Sequence, residues 1–485
     1  MHLSATFQQG DGTTTWAANY WNLLVNWNFD TKDLAEGEKV IIDNQSKKRF
    51  NCQAGTTLTI TNSATNSSAV AVIDLGTGDG TARSLMMQKN VNIIFKTNSR
   101  IESEKIKART WYPVYIYGND AKLAVENAST LTINTNTRLG DGETNAVLSV
   151  TGGSTLLFGE SAYFDAYSGI ITVDETSKLQ VKQLSRFGEQ EADTTTRQKP
   201  LTATIKGTFD MDSSVTINNT ANFVVNNFQH ANGSLLTVYG SFETQKATQF
   251  ANTKISGGVL KQTAGNSTTI VRAFSVEDGG TFETSGVINL EAGSTDETDA
   301  KWAKVTINEG TNFFVDGKSS SGTALILKNG ELVLNKENAI TTSTGEIVQM
   351  VTAESGTNVI IRVNASQEFV KLVANKTAIK YYMEDANDTL TADFGTIANG
   401  QHIFYNFNEN QIFVNNWEMN FLSDEAINSV FVAYQTINGE EVKIDKLYIN
   451  NGWLSAIAPS VPEPAEWAMI FGGIALGLAI YRRRK

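Results

Sequence analysis

The chain is poor in the residues that build covalent or metal-bound frameworks. Its 485 residues include one cysteine, Cys52, and three histidines, His2, His230 and His402. A single cysteine excludes an internal disulfide framework and any multi-cysteine zinc or iron–sulfur site. Three scattered histidines argue against a His-rich metal centre. We therefore predict neither a metal nor a cofactor.

Proline and charge are also scarce. Average chains contain about 5% proline and about 25% charged residues. This chain contains only 5 prolines among its 485 residues, and 19% of its residues are charged. Only Pro113 and Pro200 fall within residues 1–458, and the other three prolines crowd into 459–464. Because proline removes a backbone donor from paired strands, its scarcity favours an extensively paired β structure. The three prolines within 459–464 mark a junction between the body of the chain and its last residues.

The net charge of −12 limits the partners that the chain can have. Its one basic cluster is the end of the chain, Arg482, Arg483, Arg484 and Lys485. Nucleic-acid binding requires clustered Lys and Arg to neutralise phosphates, so we predict no nucleic-acid partner. Solubility accounts for the acidity, and contact with divalent cations or a polysaccharide is the alternative.

The end of the chain combines three features in a fixed order. A proline-rich segment, Val461, Pro462, Glu463 and Pro464, cannot continue a helix. A charge-free run over 467–481 follows, and the basic end comes last. The apolar and aromatic residues predicted to line this run are Trp467, Ile470, Phe471, Ile474, Leu476, Leu478, Ile480 and Tyr481.

The run over 467–481 is predicted to be a single transmembrane helix. As a helix it spans about 22 Å, and snorkelling basic side chains extend its reach toward the ~30 Å hydrocarbon core. The basic end then stays in the cytoplasm and leaves residues 1–460 outside. A buried core helix is the alternative, but its place between a proline segment and four cations argues against it.

This tripartite end resembles the PEP-CTERM sorting signal of Gram-negative bacteria. The resemblance implies that an exosortase, a membrane-embedded cysteine protease, recognises and processes the tail at or near Pro462, Glu463 and Pro464. It also implies export, anchoring in the inner membrane before processing, and association with exopolysaccharide and the cell surface. The residues of the motif would then be a substrate for another enzyme.

Export requires a leader, which combines a basic segment with an apolar stretch of about 7–15 residues. The sequence from Met1 to Asp30 contains no such combination. Two explanations are open. Either the sequence begins after the cleavage point with an added Met1, or the start codon was misassigned. We favour a missing leader, because the tail has no role in a cytosolic protein.

The body of the chain alternates short β-branched and apolar runs with Gly, Asn and Asp. Runs such as 58–60, 131–133, 215–217 and 359–363 are typical of strands. Helical periodicity is confined, before the tail, to short stretches at 104–109 and 423–432. The composition therefore predicts an all-β fold.

A loose repeat runs through these strands: an apolar residue, small or polar residues at +3 and +4, and an apolar residue again at +6. Its eight instances begin, at unequal intervals, at Cys52, Val125, Val150, Val173, Phe209, Val276, Ile307 and Ala353. Such repeats are typical of solenoids. We predict a right-handed parallel β-helix of ~14–17 coils, roughly 70–80 Å long at ~4.8 Å per coil. An array of antiparallel β-sandwiches is the alternative.

Stacked asparagines are expected along the axis of such a β-helix, with the pairs at 218–219, 226–227, 415–416 and 450–451 as candidates. Cys52 lies on a repeat position that should face inward. We interpret it as a small buried hydrophobe rather than a reactive thiol.

Both ends of the rod are predicted to be capped, because open sheet edges promote aggregation. Trp16, Trp21 and Trp27 precede a first strand, and this opening is similar to the first coil of bacterial surface proteins with autotransporter-like β-helix repeats. We interpret the three Trp as packing over that coil, with a sugar-stacking platform as the alternative. The predicted domains are an N-terminal cap and first coil, β-solenoid repeats, an aromatic-rich C-terminal β cap, and the sorting signal, over 1–45, 46–364, 365–458 and 459–485.

Motifs that carry chemistry are weak. Asp210 with Asp212 and Glu160 with Asp165 could form carboxylate pairs for glycoside cleavage, but 51 acidic residues produce such pairs by chance. We assign no catalytic residue and predict a non-enzymatic, exported rod with a structural or adhesive role. The alternatives are a polysaccharide lyase or glycoside hydrolase on a β-helix scaffold, and a carbohydrate-binding surface protein.

Overall fold

A computed structural model describes most of the chain. It describes residues 54–62, 70–75, 85–103, 112–142, 144–188, 199–263, 265, 267–348 and 350–459, and within 7–52 the backbone of six strands. The Pro-Glu-Pro segment, the apolar run and the basic end that were predicted over 461–485 lie outside the described residues, as does the short helix predicted at 104–109. Among the described residues, no helix is long and apolar enough to cross a bilayer.

The described chain is built almost wholly from short strands. The first are β1 (Phe7–Gly10), β2 (Thr13–Trp16), β3 (Asn22–Leu23), β4 (Trp27–Asp30), β5 (Lys39–Ile41), β6 (Phe50–Cys52), β7 (Thr57–Thr61), β8 (Val70–Asp74), β9 (Leu85–Met87), β10 (Asn92–Phe95), β11 (Ser99–Glu102), β12 (Val114–Ile116), β13 (Lys122–Val125), β14 (Thr130–Asn134), β15 (Thr137–Leu139) and β16 (Val147–Val150). The next are β17 (Thr155–Phe158), β18 (Phe164–Ala166), β19 (Gly169–Val173), β20 (Lys178–Val181), β21 (Ser185–Phe187), β22 (Leu201–Met211), β23 (Val215–Ile217), β24 (Ala221–His230), β25 (Leu235–Val238), β26 (Ser241–Thr244), β27 (Thr248–Phe250), β28 (Asn252–Ser256), β29 (Val259–Gln262), β30 (Thr268–Ile270), β31 (Ala273–Glu277) and β32 (Thr281–Thr284).

The remaining elements include the only helical segments among the described residues. The strands are β33 (Ile288–Glu291), β34 (Lys304–Ile307), β35 (Asn312–Val315), β36 (Leu325–Leu334), β37 (Met350–Ala353), β38 (Asn358–Val363), β39 (Gln367–Val373), β40 (Thr377–Met383), β41 (Leu390–Asp393), β42 (Gly400–Tyr405), β43 (Ile412–Val414), β44 (Phe431–Ile437), β45 (Glu440–Lys443), β46 (Tyr448–Asn450) and β47 (Trp453–Ser455). A 3₁₀ turn occupies Ile397–Asn399, and two short helices are α1 (Trp417–Asn420) and α2 (Asp424–Val430). The helix predicted at 423–432 is confirmed as α2.

Strands from successive coils pair in parallel and form long ladders. Ladder 1 contains β4, β7, β10, β13, β16, β19, β22, β24, β26, β29, β32 and β35. Ladder 2 contains β2, β5, β8, β11, β14, β17, β20 and the second halves of β22 and β24. Ladder 4, which contains β27, β30, β33, β36, β37, β39, β41 and β43, begins where β27 packs on β24.

Among the ladders that the described strands form, ladder 3 is the longest, and it is parallel throughout. Its 17 strands are β3, β6, β9, β12, β15, β18, β21, β23, β25, β28, β31, β34, β36, β38, β40, β42 and β44. At ~4.8 Å per step, this ladder extends about 77 Å. The predicted parallel β-solenoid architecture is therefore confirmed, and the antiparallel sandwich alternative is wrong.

Coil length varies widely, because insertions enter at the corners. Leu260 pairs with Phe242 on the preceding coil, and Ile93 pairs with Leu58. The coil that joins Phe242 to Leu260 is only about half as long as the coil that joins Leu58 to Ile93. Registered pairing along the ladders is therefore kept while the corners change in length.

Several of the predicted repeats begin one coil apart in the structure. Val150 pairs in register with Val125 on the coil before it and with Val173 on the coil after it. Val276 and Ile307 are in register in the same way. The repeat itself marks corners on different sides of the coil, since any sharp turn between short strands needs small residues.

The core is a column of apolar side chains enclosed by the ladders. Its middle part is an aromatic stack in which neighbouring ring centroids lie 4.0–6.4 Å apart. The stacked residues are Phe158, Phe164, Phe187, Phe209, Phe223, Phe228, Phe242, Phe250, Phe274, Phe282 and Phe313. Because each strand presents alternate residues to this column, the remaining residues form the outer surface.

Asparagine side chains join neighbouring coils, as expected. Those of the predicted pairs that do so are Asn218, Asn226, Asn227 and Asn416. The asparagines that bond to one another lie outside the predicted pairs. Asn335 Nδ2 donates to Asn308 Oδ1 at 2.7 Å, and Asn364 Nδ2 donates to Asn335 Oδ1 at 2.7 Å. Among the predicted pairs, Asn218 Nδ2 donates instead to the carbonyl oxygen of Gly188, one coil earlier, at 2.9 Å. The asparagine ladder therefore forms at a corner that follows three registered strands of ladder 3.

Antiparallel strands cover one edge each of ladders 2, 3 and 4. At the start β1 pairs antiparallel with β2, and at the end β45 covers β44 while β47 covers β43. Ladder 3 continues through the boundary at 364/365, so much of the region predicted as a C-terminal cap consists of further coils. The elements that close the rod are α1, α2 and β45 to β47.

Candidate functional site on the outer face of ladder 3

The outer face of ladder 3 carries two clusters in which an arginine lies against tyrosines. Registered pairing places Tyr115, Arg138, Asp165 and Arg186 in one row, four coils in succession. The N-terminal cluster comprises Tyr112, Tyr115, Arg138, Asp165 and Tyr167. The C-terminal cluster comprises Lys304, Glu331, Arg362, Tyr382, Glu384, Tyr405 and Tyr434.

Arg138 and Asp165 form the centre of the N-terminal cluster. The guanidinium carbon of Arg138 lies 4.3 Å from the ring centroid of Tyr167, 5.1 Å from that of Tyr115 and 5.9 Å from that of Tyr112. Asp165 is only 1% exposed, although it lies on the outer face of its strand. The Tyr112 hydroxyl donates to Asp165 Oδ2 at 2.5 Å and lies 3.4 Å from the Tyr167 hydroxyl. The tyrosines therefore shield this carboxylate from water.

This geometry keeps the Tyr112 phenol protonated. Burial, followed by the hydrogen bond to Asp165, raises the pKa of Tyr112 far above its ordinary value. A general base must be deprotonated near the operating pH, and Tyr112 cannot meet that condition at neutral pH. The cluster is suited to holding neighbouring coils together and to presenting aromatic surface, but not to proton abstraction by Tyr112.

Arg362 joins three coils in the C-terminal cluster. It pairs with Glu331 on the preceding coil and with Glu384, at 3.4 Å, near the following strand. Its guanidinium carbon also lies 4.5 Å from the ring centroid of Tyr382. Lys304 lies 3.4 Å from Glu331, which is 6% exposed. Each charge in this cluster therefore has an opposite partner one coil away.

Three tyrosines extend the C-terminal cluster toward the end of the rod. Tyr382 and Tyr405 stack at 4.7 Å with an angle of 11° between their planes, and Tyr405 and Tyr434 stack at 5.1 Å and 10°. Both faces of the Tyr405 ring are therefore covered by its neighbours. A sugar ring therefore cannot stack on Tyr405, and this stack of three tyrosines is suited to a structural role.

Three of the four carboxylates considered from sequence are engaged elsewhere. Asp210 forms an ion pair with Lys178, and Asp212 Oδ2 accepts from Gln180 Nε2 at 2.6 Å. Asp165 belongs to the tyrosine cluster. Among the described residues, no group of three or more His, Cys, Asp or Glu is placed to hold a metal ion.

The two described histidines are structural residues in the core. His402 Nδ1 lies 2.9 Å from the Tyr381 hydroxyl, and its Nε2 lies 3.1 Å from the carbonyl oxygen of Phe394. His230 Nε2 lies 3.2 Å from the carbonyl oxygen of Ser234. Burial lowers the pKa of His230 to about 4 and that of His402 to about 3, so both are neutral at physiological pH.

Sequence reasoning missed both clusters. Their members are separated by coil lengths that vary, so no fixed spacing connects Tyr115 to Arg138 or Arg362 to Tyr382. The predicted sorting residues Val461, Pro462, Glu463 and Pro464 lie outside the described residues, as do the side chains of the N-terminal Trp trio and of Cys52.

Comparison of the chain with models of protein families, with curated proteins and with solved structures finds no match.

Proposed function

We propose that the protein is an exported, right-handed β-solenoid displayed at the bacterial envelope, with a structural or adhesive role and no catalytic activity. The observation that carries this proposal is the order of parts: a long parallel rod, then the proline segment, the charge-free run and the basic end. In this proposal the tail holds the rod at the inner membrane until an exosortase processes it. Exopolysaccharide at the surface is the proposed environment of the released rod.

The ion pairing on the outer face of ladder 3 supports a passive role. Glu331 and Arg362 neutralise each other, and Tyr112 holds a proton that it cannot release at neutral pH. Cross-coil pairs of this kind stabilise a stack of coils. A stiff surface built in this way resists proteolysis and needs no cofactor.

Mass spectrometry of the mature C-terminus tests the sorting proposal. Cells that express an exosortase should yield a chain that ends at or near Pro464 and lacks the basic end. A matched strain without exosortase, and a Pro462→Ala/Pro464→Ala variant, should retain Lys485. An intact C-terminus in exosortase-positive cells would contradict the proposal.

A second candidate function is polysaccharide binding at the N-terminal cluster. Five partly exposed tyrosines, Tyr112, Tyr115, Tyr117, Tyr163 and Tyr167, surround this region, and the Tyr115 and Tyr117 rings lie 4.9 Å apart but tilted by 36°. These two rings are tilted against each other, in contrast to the parallel stack at Tyr405. Amphipathic aromatic side chains of this kind suit ligands with both apolar and hydroxyl surfaces.

Affinity electrophoresis in gels that contain polygalacturonate or dextran tests this second function. Retardation that is lost in Tyr115→Ala and Tyr117→Ala, and kept in Tyr405→Ala, would support binding at the N-terminal cluster. Equal mobility in both gels and in a gel without polysaccharide would rule it out for these two polymers.

A further inference from the structure

The segment from α1 to α2 lies over the final coils of the core. Phe421 packs against Phe431 at 5.0 Å between ring centroids, and Ile427 and Val430 are buried. Helix α2 contacts β42 and β44 of ladder 3 and also β46, which lies two strands beyond the last parallel strand of ladder 4. Because α2 reaches from one ladder to the far edge of another, it covers the end of the core.

The same end of the rod also carries exposed apolar side chains. Met419 and Leu422 are each 78% exposed, and Ile457 is 65% exposed. These three are the most exposed large apolar side chains among the described residues, and Ile437 and Val442 in the adjoining hairpin are exposed as well. Single exposed apolar residues are ordinary, but this concentration at one end of the rod is not matched along its described flanks.

The chain leaves the rod beside this apolar end. Ile457 lies just before Pro459, the last described residue, and a short segment separates it from Trp467, where the charge-free run begins. Fully extended, that segment spans at most about 36 Å. If the run is the membrane anchor of the proposed function, the bilayer surface lies no farther than this from Ile457.

We propose that Met419, Leu422 and Ile457 contact the lipid surface while the tail anchors the chain, so that the capped end rests on the membrane. This inference depends on the anchoring part of the proposed function. The charge of the cap identifies the kind of lipid: residues 417–457 contain six carboxylates and two lysines, a net charge of −4. Such a surface favours zwitterionic headgroups and is repelled by anionic ones.

Site-specific fluorescence in reconstituted vesicles tests the contact. The full chain carries Cys52→Ala, and single cysteines are introduced as Met419→Cys, Leu422→Cys or Ile457→Cys and labelled with an environment-sensitive dye. Matched controls are Ile170→Cys and Val370→Cys, which replace exposed apolar residues on the flanks of the rod. Phe471→Cys reports the anchor itself. The vesicles contain phosphatidylcholine with spin-labelled acyl chains as quenchers.

The expected result is at least twofold stronger quenching at residues 419, 422 and 457 than at the two flank positions, weakened when phosphatidylglycerol replaces a third of the lipid. Strong quenching at residue 471 with equal, weak quenching at cap and flank would overturn the contact and leave the anchor intact. Absence of quenching at residue 471 would instead overturn the anchor, and the proposed function with it.

Discussion

The N-terminal and C-terminal clusters on ladder 3 make the same kinds of contact, but their side chains differ in exposure to solvent. Both place an arginine against a tyrosine of another coil and a carboxylate nearby. In the N-terminal cluster Tyr112 covers the single carboxylate, Asp165, which is 1% exposed, whereas the C-terminal cluster pairs Arg362 with the buried Glu331 and with the exposed Glu384. From this difference we predict that burial, rather than the type of contact, decides how much the loss of one partner destabilises the rod.

Acidification should have the largest effect, and it acts on the two buried histidines of the core. An unfolded histidine binds a proton near pH 6.5, whereas His230 and His402 bind theirs only near pH 4 and 3. The unfolded chain therefore takes up more protons as the pH falls below 6.5, so stability is complete above that pH and is lost toward pH 4. At pH 5 the loss is about 2 kcal/mol for each histidine.

Urea unfolding between pH 7.5 and 4.5, followed by circular dichroism, measures this slope. His402→Gln offers an amide donor and acceptor to Tyr381 and Phe394, and it should remove about half of the slope. A free energy of unfolding that stays flat from pH 7 to pH 5 would contradict the assignment.

Removal of the buried carboxylate should have the next largest effect. Asp165→Leu takes away the acceptor of the Tyr112 hydroxyl and leaves Arg138 without its registered carboxylate. We expect a loss of about 3 kcal/mol in the free energy of unfolding. The matched change in the C-terminal cluster, Glu384→Leu, should cost less than about 1 kcal/mol. Equal losses of unfolding free energy for the two variants would contradict the predicted difference between the two clusters.

Arg362→Ala should destabilise the C-terminal cluster by about 2 kcal/mol, because Glu331 is left largely buried with Lys304 as its remaining ion-pair partner. Arg362→Lys keeps the charge but loses the planar stacking on Tyr382, so it should recover about half of the loss. Thermal unfolding in low and high salt measures both variants. If the alanine and lysine variants are equally unstable, the charge contributes nothing.

The smallest effect is expected for changes in the stack of Tyr382, Tyr405 and Tyr434. Tyr405→Ala removes two stacking contacts and should cost about 1–2 kcal/mol. Tyr405→Phe keeps the ring and should change stability by less than about 0.5 kcal/mol, since stacking needs no hydroxyl. Hydrogen exchange of the amides in β42 and β44 gives a local readout. Faster exchange in the phenylalanine variant would show that the hydroxyl matters.

The fold was predictable because small residues recur at the corners of the coils, although the coils differ in length. A sharp turn between two short strands demands small residues, so pairs such as 153–154 and 279–280 mark corners in any coil. The clusters were not predictable, because insertions change the coil length and shift which residues meet. Arg138 follows Tyr115 after a longer interval than the one that separates Tyr382 from Arg362, although each pair is joined by one step of ladder 3.

Incubation of the purified full-length protein with a panel of neutral and acidic polysaccharides is the most direct test of the central claim, a rod without catalytic activity. The account predicts no new reducing ends and no absorbance from unsaturated products at any pH between 5 and 9. New ends that disappear in Asp165→Asn or Tyr112→Phe would contradict it and would make the N-terminal cluster an active site.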